Sequence, residues 1–540
     1  MGIAAHRTAA GQDTKQGAER FFMTMGRQTG SELLYAGHRS TSGLAPALHW
    51  ILGFMLTTHP FDDDKLREEC GIFGVSGVDT ASAMVALGLH ALQHRGQEAA
   101  GITSWDGHDF HTHRAMGHVA GNFDRDEIIR ALPGEVACGH VRYSTTGETS
   151  LRNVQPLYAE LSSGGFAVAH NGNISNAMKL RRELVRRGSI FQSTSDTEVI
   201  IHLVATSSYR TLLDRFIDAL KQVEGAYSLI CMTPEGMIAC RDPLGVRPLV
   251  MGKLGDAIIF ASETVAFDVV GADYVRSIDP GELVIVTGSG EVRSHRPFGD
   301  THPRPCIFEH VYFSRPDSIV DGSSVYSVRK AIGAQLALEN PVEADYVIPV
   351  PDSGVPAAIG YAQQSGIPFE LGIIRSHYIG RTFIQPGDKV RHLGVKLKHN
   401  ANRALIAGKR IVLIDDSIVR GTTSLKIVQM MREAGAAEIH MRIASPPTRH
   451  SCFYGVDTPE RTKLLAHKLD VGGMRDFIHA DSLSFLSIDG LYKALGEAKR
   501  ADIRPQYCDA CFTGDYPTSL TDQDEAEVRD QLELLSERMV

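Results

Sequence analysis

Cysteine is scarce in this chain: eight in 540 residues, at Cys70, Cys138, Cys231, Cys240, Cys306, Cys452, Cys508 and Cys511. That density is too low for a disulfide scaffold, so a reducing, cytoplasmic setting is expected. There a Cys-x-x-Cys pair more often serves metal or redox chemistry. Positive charge is also in deficit, with 55 Lys and Arg against 64 Asp and Glu and a net charge of −9. Binding nucleic acid needs a basic face, so nucleic acid is excluded as the main partner, while a local basic pocket for a small phosphorylated substrate is not. Long apolar runs are missing as well. Leu44–Leu56 is too short to span a bilayer and lacks the small-residue cleavage site of a secretory leader. His6 stands where N-myristoylation of Gly2 would want Ser or Thr. No membrane partner is expected. Residues 1–54 carry little pattern, and Met55 is an alternative start. The length calls for two to four domains.

What is present centres on Arg410–Ser424, RIVLIDDSIVRGTTS. Ile411–Ile414 is a continuous apolar run, as expected of a strand buried on both faces of a parallel sheet. Asp415 and Asp416 arrive where that strand would end. Arg420, Gly421, Thr422 and Thr423 then form a small, hydroxyl-rich turn running into an amphipathic helix. Such a turn offers free backbone N–H groups and a positive dipole end to a phosphate. Two carboxylates beside it can take ribose hydroxyls or Mg²⁺. Spacing alone also allows an Asp-rich turn capping an ordinary helix.

The whole string resembles the signature of the type I phosphoribosyltransferases, which bind 5-phosphoribosyl-1-pyrophosphate (PRPP). The resemblance implies that Thr422 and its loop hold the 5-phosphate and that Asp415 and Asp416 hold the ribose diol. Mg²⁺ would bridge these carboxylates, Ser353 and pyrophosphate. Ser353 lies in a second strand–loop–helix unit, Ala344–Gly366, whose loop Pro351–Gly354 could receive pyrophosphate. Ile373–Arg403 is basic and broken by Gly380, Gly387 and Gly394, as expected of a lid over an anionic substrate; Arg381 is its candidate substrate contact. Strand–helix alternation across Ala344–Ala437 predicts an α/β domain with a parallel sheet.

The first half begins at Cys70 in CGIFGV. Alone, Cys70 reads as a buried core thiol. Four polar clusters follow: LQHRGQEAAG (Leu92–Gly101), GHVRYSTTG (Gly139–Gly147), AHNGNISN (Ala169–Asn176) and STSDTE (Ser193–Glu198). Each follows or interrupts an apolar stretch, where loops gather side chains. The set resembles the class II glutamine amidotransferases, the N-terminal-nucleophile amidohydrolases. That implies an α+β (αββα) glutaminase domain and removal of residues 1–69, leaving Cys70 as a terminal nucleophile. A freed α-amino group titrates at roughly 7.7–8.0 and can take the thiol proton. By the same resemblance Asn171 and Gly172 form the oxyanion hole, Arg142 pairs the glutamine α-carboxylate, Asp196 holds the α-ammonium and Arg95 closes a loop over the substrate. RDPLGVRPL (Arg241–Leu249) and Ser262-Glu263-Thr264 also match the family, with no catalytic role assigned.

Cys508-x-x-Cys511 with the distant Cys306 and Cys452 fits tetrahedral Zn²⁺, a [4Fe–4S] cluster or unliganded thiols. The order of the halves, together with GRTFIQP (Gly380–Pro386), resembles the glutamine phosphoribosylpyrophosphate amidotransferases from Cys70 to about Pro517. One branch of that family carries a [4Fe–4S] cluster in matching contexts, except that Ser451 precedes Cys452 where Pro is usual. The implied cluster is structural and clamps the tail to the second domain. The implied division is a leader at 1–69, a glutaminase domain at 70–303, a phosphoribosyltransferase domain at 304–501 and a tail at 502–540, whose segment 525–539 predicts a helix. The implied reaction converts PRPP, glutamine and water to 5-phosphoribosylamine, glutamate and pyrophosphate, the committing step of purine synthesis. The enzyme would be a dimer or tetramer of this chain, with purine nucleotides as feedback inhibitors. Hexosamine- or asparagine-type synthases share the glutaminase half but lack the Arg410–Ser424 signature. A PRPP-binding repressor fits neither the negative charge nor the intact glutaminase set, and no helix-turn-helix pattern is present.

Overall fold

A computed structural model describes residues 67–68, 70–143, 150–375 and 399–523. The expected leader apart from residues 67–68, Arg381 with most of the basic lid segment, and the predicted helix at 525–539 lie outside the described residues. All described residues fall in one compact unit.

The first half is a four-layer sandwich. Seven antiparallel strands run in the order Asp273–Ser277, Val250–Leu254, Ala257–Ala261, Cys70–Ser76, Val136–Arg142, Ala99–Trp105, Phe110–Met116. The second sheet has six, in the order Val292–His295, Leu283–Thr287, Gly236–Arg241, Gly225–Thr233, Gly164–Ile174, Leu157–Leu161. Ile72, Cys138, Ala169, Ile230 and Phe260 fill the space between the sheets. Phe73 and Val75, on the opposite face of the same strand as Ile72, meet Val85 and Leu89 of the helix Ala81–Ala91. The helices Ala177–Arg186, Thr197–Thr206 and Leu212–Leu220 cover the other sheet. With both faces occupied, a strand such as Gly225–Thr233 is buried along its whole length, so it reads as an apolar run rather than an alternation.

The second half is built on a four-stranded parallel sheet, Tyr346–Pro349, Arg410–Asp415, Glu438–Ile443 and Ser482–Phe485 in that spatial order. Val412 and Ile414 pack toward the helices Val325–Glu339 and Val355–Ser365. Ile411 and Leu413 face Thr422–Glu433 and Val471–Ile478. All four are fully buried, which is why the run has no polar alternation. An antiparallel pair, Ile373–Arg375 with His399–Ala401, brackets the lid segment.

Segments near both ends of the described chain help to tie the halves together. Arg67–Glu68, just before Cys70, pairs antiparallel with Val456–Asp457. After Cys508, whose backbone bonds to Pro305 and Ile307, the chain crosses to the first half. Ser175 Oγ donates to the Ser519 carbonyl at 3.1 Å. The Asp522 carboxylate accepts from Met178 N at 2.7 Å and Lys179 N at 2.9 Å. It thereby caps a helix whose own N-cap residue, Asn176, makes no side-chain cap bond. The tail therefore holds the first half as well as the second, which the acidic sequence after Pro517 did not disclose.

Candidate active sites

Cys70 opens its strand, 8 % exposed, directly opposite Arg142 on the neighbouring strand. Arg142 is buried and donates to the Asn153 carbonyl. Asn171 and Gly172 lie near the end of the strand Gly164–Ile174 in the other sheet. Gly172 has φ of +146°, and a Cβ there would sit 2.1 Å from the Ala226 carbonyl oxygen, so only glycine fits. Asp196 turns back onto the same strand, accepting from Ile174 N at 3.0 Å while capping the next helix through Thr197 N at 2.8 Å. A cavity of about 130 Å³ is lined by Asn173, Asp196, Phe453 and the tail residues Leu520 and Asp522. The second half contributes directly: Asn173 Nδ2 donates to the Phe453 carbonyl at 2.9 Å, and Gly455 packs on Gly172 so closely that a Cβ would lie 3.0 Å from its Cα.

The other site forms at the carboxyl ends of the parallel strands. Asp415 and Asp416 are both nearly inaccessible. The Asp415 carboxylate accepts from Asp416 N at 3.0 Å. Asp416 accepts from Ser353 Oγ at 2.5 Å and Ser417 Oγ at 2.8 Å. Ser353 and Asp416 thus meet across 63 residues of chain. Gly421 has φ of +79° and heads the helix Thr422–Glu433 without a side-chain cap bond. A Cβ at Gly421 would strike Leu465 at 2.5 Å. Arg420 and Thr422 are exposed and Thr423 is buried. An uncapped helix start with two carboxylates beside it can receive a phosphate and the hydroxyls or cation that accompany it.

Two family models match in the same order as these sites: a glutamine amidotransferase domain over residues 140–269 and a phosphoribosyl transferase domain over residues 318–451. The amidophosphoribosyltransferase of Rhizobium etli is 56 % identical over 485 residues, 89 % of this chain and 98 % of that protein. That of Bacillus subtilis is 49 % identical over 84 % of this chain and 95 % of its own length. This chain belongs to the amidophosphoribosyltransferase family. A solved B. subtilis glutamine PRPP amidotransferase, complexed with ADP and GMP, superposes with a TM-score of 0.79 at 49 % identity, covering 84 % of this chain and 98 % of that one. The amidophosphoribosyltransferase reaction, the first step of purine biosynthesis, takes its nitrogen from glutamine in the first half and its sugar phosphate from PRPP in the second. No helix among the described residues is long and apolar enough to cross a membrane.

Within this amidophosphoribosyltransferase fold, Arg95 does something its motif did not announce. Its loop lies on the site: a Cβ on Gly96 would meet Arg142 N at 2.6 Å. The guanidinium, however, is fully buried between Glu263 and Glu309, at 2.8 Å from Glu309 and 3.2 Å from Ser314 Oγ. Arg247 also reaches Glu309, at 2.9 Å. The side chain thus spans the interface between the halves. Burial works against both charges, but Arg95 and His94 outweigh it and hold the Glu263 carboxyl well below the usual carboxylate range. A depressed carboxyl contributes stability above its unfolded pKa of about 4.3 and loses it as pH falls. Glu263→Gln should therefore destabilise the protein by about 3–5 kcal/mol at pH 7, because Arg95 loses a buried partner. In thermal unfolding the gap to the unaltered protein should narrow between about pH 5 and pH 3; a gap independent of pH would contradict this assignment.

The four tail-region cysteines converge. Cys306 and Cys508 form a backbone bridge, and the Cys511 carbonyl accepts from Arg449 N and His450 N, next to Cys452. Burial pushes the Cys306 thiol up to about 12, and burial, with the neighbouring cysteines, pushes Cys508 and Cys511 well above their ordinary value. Their side chains are not gathered round a single ion: among the described residues no group of three or more His, Cys, Asp or Glu could hold a metal as placed. Glu309 and Asp522 carry structural weight that sequence reasoning missed, and Glu263 has the fold-shaping role that its matched string implied.

Proposed function

We propose that glutamine is hydrolysed at Cys70 and that the ammonia passes inside the protein to C1 of PRPP. On this reading residues 1–69 are removed and 70–303, 304–501 and 502–540 act as glutaminase domain, phosphoribosyltransferase domain and tail. The freed α-amine takes the Cys70 proton. No imidazole competes for that role at His140, which sits opposite Ile72: its Nε2 bonds to the His170 carbonyl, and burial pushes its pKa down to about 3. The thiolate attacks the δ-carbonyl of glutamine, and Asn171 with the Gly172 N–H stabilises the oxyanion. Collapse expels ammonia, and water then cleaves the thioester to glutamate. Arg142 holds the α-carboxylate and Asp196 the α-ammonium.

In the second half the loop Arg420–Thr423 holds the 5-phosphate, and Asp415 and Asp416 orient the ribose. Asp415, Asp416 and Ser353 would also hold Mg²⁺, which neutralises the departing pyrophosphate. The bond between Ser353 and Asp416 supports that grouping. Arg381 is assigned to the same substrate. Ammonium dominates at pH 7 and is not nucleophilic, so an enclosed route is required. The observation that carries the reading is the packing of Phe453–Gly455, from the second half, on Gly172 and Asn173. We further assign Cys306, Cys452, Cys508 and Cys511 to a structural [4Fe–4S] cluster, on the resemblance of their sequence contexts and on the backbone bridge between Cys306 and Cys508, although the side chains as they stand do not surround one ion. Purine nucleotides are the proposed effectors, and a cytoplasmic homo-oligomer the proposed form.

Anaerobically purified full-length protein tests this reading. Expected are an N-terminus at Cys70, about four iron and four sulfide per chain, and pyrophosphate release from PRPP that needs glutamine or ammonia. Trimmed protein that hydrolyses glutamine without consuming PRPP would refute the coupled reaction. Zinc in place of iron and sulfide would refute only the cluster.

A further inference from the structure

Ser262 lies between the two sheets' catalytic residues and has been given no role so far. It is fully buried, as are Asn171 and Ile72. Its hydroxyl oxygen accepts from Ile72 N at 3.0 Å, and its own N–H returns a bond to the Ile72 carbonyl at 3.0 Å. Ile72 is two residues beyond Cys70. The same hydroxyl lies 3.2 Å from one end of the Asn171 side-chain amide, placed as Nδ2. The other end, placed as Oδ1, is buried with no partner among the described residues.

The two ends of an amide are assigned from the surrounding hydrogen bonds rather than seen. With Nδ2 on Ser262, the hydroxyl accepts two N–H groups, its own proton has no acceptor among the described residues, and a carbonyl oxygen is stranded. With the amide turned over, the Ser262 hydroxyl accepts from Ile72 N and donates to Asn171 Oδ1. Both groups are then satisfied, and the unpartnered end becomes an NH₂. A buried amine with no partner in the resting protein is what an oxyanion hole requires, whereas a stranded carbonyl oxygen would repel the developing charge.

We propose that Ser262 is a positioning residue: its hydroxyl sets the amide of Asn171 so that the NH₂ faces the reacting carbonyl, and registers it against the strand that carries Cys70. This rests on the assignment of Asn171 to the oxyanion hole. Ser262→Ala should lower kcat for glutamine by about two- to tenfold, less than the 10²–10³ lost with a whole donor, because the competent orientation of the amide is then only fractionally populated. KM for glutamine and ammonia-dependent synthesis should be unchanged, and Ser262→Thr, which keeps the hydroxyl, should recover most of the activity. In an Asn171→Ala background, Ser262→Ala should cost nothing further, since there is no amide left to orient. An equal loss in that background, or a parallel fall in ammonia-dependent activity, would overturn the proposal by showing a general packing role. An Asn171→Ala variant with unaltered kcat would instead remove the oxyanion assignment, and the role of Ser262 with it.

Discussion

Cys70→Ala is expected to abolish glutamine-dependent formation of 5-phosphoribosylamine, by about 10³-fold or more, while ammonia supplied from solution still supports it. The size follows from removing the covalent route: residues that act as one nucleophilic unit cost nearly their full effect when one is lost. The survival of the ammonia reaction follows from the fold. Asp415, Asp416 and the loop Arg420–Thr423 stand on a parallel sheet that shares no strand with the sandwich holding Cys70. The methyl group fills the small, buried position of the thiol, so the strand Cys70–Ser76 keeps its neighbours. The comparison is best made near pH 9, where free ammonia is abundant, with pyrophosphate release as the readout. Loss of both activities together would mean that Cys70 serves the fold. Retention of the glutamine reaction would remove it as nucleophile.

Asp416→Asn should act on the other half, lowering synthesis from glutamine and from ammonia alike by about 10²–10³-fold, the scale of losing one well-placed electrostatic contact to a developing charge. The amide is nearly isosteric: of Ser353 and Ser417, which now donate to Asp416 Oδ1 and Oδ2, one keeps its acceptor and the other hydroxyl can turn to accept from the new NH₂. The change is therefore chiefly one of charge. Steady-state measurements with PRPP varied, using each nitrogen source in turn, give the result. A loss confined to glutamine would place Asp416 in communication between the sites, not in PRPP chemistry.

The strand Arg410–Asp415 was legible because both its faces are buried and its ligand-side end carries the charges; local sequence and global position agree there. The glutaminase clusters were legible for a different reason, since each is short and its members are close in sequence. What escaped is what joins residues far apart. Nothing local in LQHRGQ says that Arg95 finds Glu263 and Glu309, because those partners lie 168 and 214 residues away. Asp522 sits in an acidic tail that resembles any solvated terminus until the uncapped helix Ala177–Arg186 is placed beside it. Ser262 was visible as part of a matched string. Its meaning appeared only when the sandwich set it between Ile72 and Asn171.

The ion pairs of Arg95 bear on how such a protein can be taken apart. A cut at the end of the first half would leave Arg95 and Arg247 with the severed piece and Glu309 with the remainder. Each side would then carry an uncompensated charge at a site made for burial, a heavy penalty for either fragment. The first half is thus not a portable module. Grafting its glutaminase onto a different ammonia acceptor would have to carry the stretch from Glu309 to Ser318 along, or replace the whole charged cluster with apolar side chains at once.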